Sequence, residues 1–329
     1  MPFIKQSFPI QTPIKAYQFL MQNLGFSMPK AQSHINKGRV LYKGKPLSNN
    51  EKNKILEDCV DIILFKPISK GLKPLFENED FALFNKPTQM LIHPKGSFNH
   101  YSLIDEIKLH CGKEATPIHR IDKETSGLIL VGKHQNAIKA LGELFAKRKV
   151  LKEYLVLAKG QIPYESFCIN CPISTQQKGG DLSVRSVYLG QIPHKEKLSF
   201  KVAKTTFETL GYYGDSTLLK ATPITGRTHQ IRIHLLSIGY PILGDPLYGC
   251  EDKHAREYLE SEFISQSQSS PLSPQKRLQY FHSVRLMLHA YSLRFTHKGK
   301  SYHFKSLQNF EIKPILLEDS CNLCSDFIF

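Results

Sequence analysis

Between Pro117 and Val131 the chain sets His119, Arg120 and Asp122 within four residues. A Thr125-Ser126-Gly127 turn follows, then an apolar run that reads as a buried strand. A carboxylate on a loop, beside an arginine and against an apolar wall, can be a reactive acid. Burial raises its pKa and the cation lowers it again, so the group stays ionised where water is scarce. The same pair can equally be a structural clamp at a turn, and these residues alone leave both readings open. Ser126 does not read as a hydrolase nucleophile, because no G-x-S-x-G elbow surrounds it.

Two later stretches carry further polar side chains in a tight pattern. One is Lys152-Glu153-Tyr154. The other is Thr225-Gly226-Arg227-Thr228-His229-Gln230-Ile231-Arg232-Ile233-His234, continued by Gly239-Tyr240-Pro241-Ile242-Leu243-Gly244-Asp245. Taken in order, the three stretches resemble the motifs of the RluA-type pseudouridine synthases, which read HRLDxxTSG at the first. Ile121 replaces Leu there, an exchange that conserves volume. The resemblance covers roughly residues 76–310.

That resemblance implies a pseudouridine synthase fold and an RNA uridine isomerase that needs no metal or organic cofactor. Carried over residue by residue, it gives Asp122 the central role. Asp122 can attack the ribose C1′, remove a ribose proton, or add to the base. Arg232 is implied as its ion-pair partner and Tyr154 as the aromatic that stacks on the base. Arg120 fills the space left by an extruded nucleotide or binds its phosphate, and His119 is a loop or RNA-contact residue. Lys86, in the Asn85-Lys86-Pro87 turn, is either a phosphate or base contact or a solvated loop lysine. Arg227, His229 and Arg232 fall at the first turn of a helix, where anions are favoured. A non-catalytic RNA-binding or assembly protein and an RNA glycosidase are the competing classes.

The elements that must hold these residues read as follows. Strands are expected at Phe81–Phe84, Gly127–Gly132, Lys152–Ala158, Phe167–Ile169, Ser199–Val202, Thr205–Thr209, Thr217–Thr222, Leu288–Phe295 and Ser301–Phe304. Helices are expected at Asn136–Lys149, with Ile138, Leu141, Leu144 and Phe145 inward, and at Thr228–Ser237, with Ile231, Leu235 and Ile238 inward. Strands outnumber helices and hairpin-like turns join several, which suggests an α+β fold with a mixed, mostly antiparallel central sheet. A Ser-, Gln- and Pro-rich stretch at Glu260–Lys276 reads as a partly disordered surface insertion, near 250–280.

The composition agrees with an RNA partner. The 329 residues carry 44 Lys and Arg against 29 Asp and Glu, a formal net charge of +15, which favours a polyanion. Residues 1–75 hold 12 of the cations and only 4 of the anions. There, Thr12-Pro13 reads as the cap of a first helix that Gly25 closes, and a second runs from Ser27 or Pro29 to Gly38. Arg39–Tyr42, a Lys43-Gly44-Lys45 turn and a strand at Val60–Phe65 follow. This pattern resembles the S-four RNA-binding module, with Lys30, His34, Lys37, Arg39, Lys43 and Lys45 as phosphate carriers. The expected organisation is the module at 1–66, a linker at 67–75 and the catalytic domain at 76–329. The resemblance to family members that carry such a module implies large-subunit ribosomal RNA rather than transfer RNA as the substrate.

No signal peptide or membrane span is visible, so a cytoplasmic protein with no membrane partner, acting as a monomer, is expected. The seven cysteines fit a reduced compartment. The two CxxC pairs, Cys168/Cys171 and Cys321/Cys324, read as free thiols rather than a zinc site.

Overall fold

The protein is described here by a computed structural model, covering residues 3–94, 101–175, 182, 185–188, 199–264, 272–308 and 310. The chain divides into two compact units, Met1–Leu72 with Pro94–Leu109, and Lys73–His93 with His110–Phe329.

The first unit has strand β1 (Phe3–Lys15), helices α1 (Ala16–Leu24) and α2 (Met28–Asn36), and strands β2 (Val40–Tyr42), β3 (Lys45–Pro46) and β4 (Ile55–Phe65). The sheet order is β1-β4-β2-β3. Apolar residues of both helices, including Leu20 and Ile35, pack on Val40, Leu56 and Ile62 of the sheet. Each such burial is worth about 1.5–3 kcal/mol. Gly25 closes α1 in the left-handed conformation, as its lack of a side chain allows.

The Thr12-Pro13 cap is corrected by the structure: both residues lie in β1, and Lys15 precedes the helix instead. Pairing with β4 prevails over the local cap signal, with Ile14 opposite Leu56. The pairing register shifts between Ile10 and Ile14, the kind of irregularity that accommodates proline in a strand. The stretch expected as a linker is tied down at its start. Ser69 Oγ and the backbone N–H groups of Lys70 and Leu72 donate to the Glu106 carboxylate, at 2.9, 2.6 and 3.3 Å. Tyr101 O–H donates to it as well, at 2.6 Å. Glu106 lies on α3 (Leu103–Cys111).

The second unit contains β5 (Phe76–Glu77), β6 (Phe81–Lys86), β7 (Thr116–Pro117), β8 (Ser126–Gly132), α4 (Gln135–Ala146), β9 (Leu151–Lys159) and β10 (Ser166–Asn170). After these come β11 (Ile173–Ser174), β12 (Val187–Tyr188), β13 (Lys204–Tyr213), β14 (Ser216–Pro223) and α5 (Gln230–Ser237). The chain then forms α6 (Asp252–Ile264), α7 (Pro274–Phe281), β15 (Leu288–His297) and β16 (Lys300–Lys305). Ten strands make one mixed sheet, with the path β10-β13-β14-β9-β15-β8-β6-β5; β16 pairs with β15, and β7 with β8. The β15–β8 pairing is parallel and the other pairings in this sheet are antiparallel. The expected α+β class with a mostly antiparallel sheet is what forms.

Two expectations are revised in this unit. Ser199–Val202 is not a strand: Lys201 makes an isolated bridge to Ile173. Ile238 is 38% exposed, because α5 ends at Ser237, and every residue from Gln230 to Leu235 is buried instead. Of the Ser- and Gln-rich stretch, residues 265–271 lie outside the described residues; the chain on either side is helical, as α6 and α7, whose Tyr258 and Phe281 pack in the same cluster as Ile233, Leu247 and Tyr248. The low-complexity composition belongs to the short segment joining the two helices, while the flanks keep apolar residues at helical spacing. Cys321 and Cys324 lie outside the described residues. Among the described residues, no helix is long and apolar enough to cross a membrane.

Candidate active site

An open cleft of about 1020 Å³ in the second unit is lined by Arg120, Asp122, Tyr154, His229 and Arg232, among others. The loop between β7 and β8, strand β9, the loop after β14 and the first turns of α5 converge on it, joined by the end of α4 and by β15. Arg148, Lys149, Lys152, Arg227 and Arg294 also line it and give it a basic wall. Residues from sequence positions more than a hundred apart therefore share one pocket.

Asp122 and Arg232 form its centre. Arg232 Nη1 donates to Asp122 Oδ2 at 3.3 Å, and the side chains are 2% and 24% exposed respectively. Burial alone would push the Asp122 carboxyl up, but the charged groups facing it, with Arg232 also hydrogen-bonded to it and Lys86 behind, pull it below the usual carboxylate range. Oδ1 makes no hydrogen bond among the described residues, which leaves one carboxylate oxygen free for a ligand.

Arg232 can be held so deep because it is paired elsewhere too. Its Nε and Nη2 donate to the two oxygens of Asp245, both at 2.7 Å, a fork-to-fork arrangement. Asp245 is itself fixed by the backbone N–H groups of Leu247 and Tyr248, at 2.9 and 3.1 Å. The Tyr248 ring lies 4.9 Å from the guanidinium carbon. Asp245 lay inside a stretch matched in the sequence but carried no assigned role, and Tyr248 was missed. The run Gly244-Asp245-Pro246-Leu247-Tyr248 offered only a turn signal.

The loop leading into α5 is pinned by Gln230. Its Oε1 accepts from Thr225 Oγ1 at 2.6 Å and from Arg227 N at 3.0 Å. Its Nε2 donates to Lys204 O and Thr205 Oγ1, at 3.0 and 2.9 Å. His229 caps the helix in a left-handed conformation, with φ 57°. Its Nε2 lies 3.9 Å from Asp122 Oδ2, and burial lowers its pKa to about 4, so the ring is neutral at ordinary pH. Arg227 is half-buried, and its Nε donates to Val202 O at 3.0 Å.

Tyr154 stands on β9 between small neighbours, opposite Ala221 on one side and Ala290 on the other. Burial, with Asp122 adding to it, pushes its hydroxyl pKa up, so it stays protonated. Ala290 also pairs with Gly127, whose φ is +114°; a Cβ there would lie 2.3 Å from Ala290 O. No residue but glycine fits that position.

Two expected contact residues are placed differently. Lys86 is fully buried, neither solvated nor open to a phosphate. Its Nζ donates to the carbonyls of Pro87, Met90 and Lys123, each at 2.9 Å, and so braces the Asp122 loop from behind. Burial pushes its pKa down to about 7, against the pull of Glu124 and Asp122. The three carbonyls match the three protons of the ammonium form. His119 stacks on Phe145 at 4.7 Å, and its Nε2 accepts from Leu130 N at 3.0 Å. Burial lowers its pKa to about 3. It is a packed, neutral loop anchor, although one side still borders the cleft. Arg120 is exposed at the cleft.

In the first unit, Lys37 is exposed and Arg39 half-buried, its guanidinium carbon 4.4 Å from the Phe3 ring centre. His34 is buried and hydrogen-bonded to Ile63 O at 2.9 Å, and burial lowers its pKa to about 4. It is a core residue and not a phosphate carrier.

Comparison with known proteins gives a consistent picture. Residues 80–237 match the family model described as RNA pseudouridylate synthase. An uncharacterized RNA pseudouridine synthase of Helicobacter pylori strain J99 is 41% identical over 319 residues, covering 96% of this chain and 99% of that protein. The ribosomal large subunit pseudouridine synthase C of Pasteurella multocida is 30% identical, covering 87% and 82%. The tRNA pseudouridine(31) synthase of Saccharomyces cerevisiae is 33% identical, but covers only 60% and 50%. Among solved structures, human RNA pseudouridylate synthase domain containing 1 superposes with a TM-score of 0.55 at 24% identity, over 74% of this chain and 86% of that one.

Proposed function

The chain belongs to the RluA-type RNA pseudouridine synthases, and on that premise we propose that Asp122 is its catalytic carboxylate and ribosomal RNA its substrate. The reaction isomerises uridine in RNA to pseudouridine. The C1′–N1 bond breaks, a C1′–C5 bond forms, the C5 proton leaves and N1 gains one. Nothing is oxidised or hydrolysed overall.

The pairing of Asp122 with Arg232 in a basic cleft supports this assignment. Arg232, itself neutralised by Asp245, keeps Asp122 ionised when RNA displaces water, without occupying both carboxylate oxygens. The free Oδ1 is then available to the ribose C1′, to a ribose proton, or to the base. Tyr154, kept protonated, offers a ring to stack on uracil and a hydroxyl near the proton transfer. Arg120 at the mouth takes the place of the extruded nucleotide or holds its phosphate. The ribosomal substrate is favoured because the relative named for the large subunit aligns across most of both chains, whereas the transfer-RNA relative shares only half its own length.

The test is tritium release from 5-tritiated ribosomal RNA and, separately, transfer RNA, both made in cells lacking the enzyme. Wild type releases tritium from ribosomal RNA, and Asp122→Asn loses on the order of 10³-fold or more in rate while RNA affinity stays within a few-fold. Full activity of Asp122→Asn would remove the catalytic assignment. Release from transfer RNA alone would move the substrate to that class.

A further inference from the structure

Tyr248 touches the candidate site only through other residues, yet its hydroxyl decides the protonation of one of them. Ser186 N donates to the Tyr248 oxygen at 2.7 Å. On the other side of the same oxygen, His229 Nδ1 lies 2.7 Å away. Tyr248 is 4% exposed, so its single hydroxyl proton needs an acceptor within the protein. His229 Nδ1 is that acceptor. Were Nδ1 protonated, two N–H groups would face the oxygen and the hydroxyl proton would be stranded. The neutral ring must therefore carry its proton on Nε2.

Nε2 is the nitrogen that faces the cleft. Asp122 Oδ2 lies 3.9 Å from it, beyond hydrogen-bond reach. The ring thus presents a neutral N–H, aimed at the space beside Asp122 and, among the described residues, without an acceptor of its own.

We infer that Tyr248 is a positioning residue that fixes His229 as its Nε2–H tautomer, so that the ring donates a hydrogen bond to an oxygen of the uridine held against Asp122. This rests on the isomerase reading above. Uracil released from C1′ carries negative charge spread over N1 and its two carbonyl oxygens, and a fixed donor stabilises that charge without reorganising. An imidazolium would instead pair with Asp122 and compete with Arg232 for it. The groups facing His229 keep it neutral: burial dominates, Arg232 and Arg120 also disfavour the charged ring, and the pull of Asp122 and Asp245 does not overcome them.

Two measurements test this on the full chain. The first is a long-range proton–nitrogen correlation spectrum of protein labelled with nitrogen-15 histidine, with the His229 signal assigned by its loss in His229→Gln. Wild type should show His229 as the Nε2–H form alone, and Tyr248→Phe a mixture of tautomers. A wild-type Nδ1–H form, or no change in Tyr248→Phe, overturns the inference.

The second is tritium release in a two-by-two set. Tyr248→Phe keeps the ring beside Arg232 and removes only the hydroxyl. It should lower kcat by about 10-fold and leave KM within about 2-fold. In a His229→Gln background, whose amide donates without any tautomer to fix, the same change should cost less than about 2-fold. Equal losses in both backgrounds would mean that the hydroxyl acts elsewhere. If wild type released no tritium, the isomerase reading would fall while the spectrum still decided the tautomer.

Discussion

Arg277 Nη2 donates to Glu124 Oε2 across 2.6 Å, and the two side chains are only 3% and 4% exposed. Glu124 stands two residues after Asp122, and Arg277 belongs to α7. Tyr258 of α6 donates to the other oxygen of Glu124, at 2.9 Å. Lys123 meets Glu262 of α6, and Thr88 Oγ1 holds the Glu124 carbonyl at 2.7 Å. The helical stretch that reads as a surface insertion is thus the outer brace of the Asp122 loop, with Lys86 as the inner one.

Removing one member of that buried pair should be costly. Arg277→Met strands the Glu124 carboxylate, for about 3–5 kcal/mol of stability. The double variant Glu124→Gln, Arg277→Met should recover part of it. Denaturant unfolding of the three proteins reads the difference. Equal stability of Arg277→Met and wild type would mean that the loop is held by Lys86 and Thr88 alone.

Asp245→Asn should lower kcat without abolishing RNA binding. The exchange breaks the two-point grip on Arg232, which then follows Asp122 out of register. A shift of about 1 Å costs on the order of 10²-fold in rate. Tritium release at saturating RNA measures it, and an RNA-binding titration should stay within a few-fold of wild type.

Acid stability should depend on Asp80. Its carboxylate accepts from Lys298 Nζ at 2.8 Å and contacts His297 Nε2 at 3.1 Å. The Lys298 hydrogen bond, with His297 adding to it, holds its pKa below the ordinary 3.8. A folded-state pKa below the unfolded one gives stability that is complete above 3.8 and is lost as pH falls through the folded value. Asp80→Asn should flatten that part of the curve of melting temperature against pH. An unchanged acid limb in the variant would assign the loss to other carboxylates.

The basic first unit is proposed as an RNA-binding module. Lys30, Lys37, Lys43 and Lys45 are exposed on it. Replacing Lys37 and Lys43 by Ser should weaken RNA binding and reduce the slope of log affinity against log salt by about 0.7–0.9 for each phosphate no longer neutralised. Charge substitution is preferable to deleting residues 1–66, because that cut leaves Pro94–Leu109 without the rest of its unit. An unchanged slope would mean that these lysines meet no phosphate.

Much of this was legible in the chain. Asp122, Tyr154 and Arg232 stand in short motifs whose order survives in sequence, and the cleft brings them together. The periodic apolar stripe of α4 and the alternation in β14 placed those elements correctly. What could not be read has a common cause in distance. Glu124 and Arg277 are 153 positions apart, and neither carries a local sign of its partner. Lys86 and His119 are polar by type, and only the fold reveals that carbonyls, an amide and a phenyl ring enclose them. The Thr12-Pro13 cap was a sound local signal that a longer-range strand pairing overrode.

Strand β15 sits between β9 and β8, and its Ala290 pairs with both Tyr154 and Gly127. A chain emerging from the ribosome therefore carries the Asp122 loop and the Tyr154 strand on two separate half-sheets until β15 is translated. Assembly waits on a wedge that is translated well after both of them, and such non-local closure is intrinsically slow. Chains truncated by premature termination before Leu288 would contain the motif residues of the cleft and still lack the strand that joins its two halves.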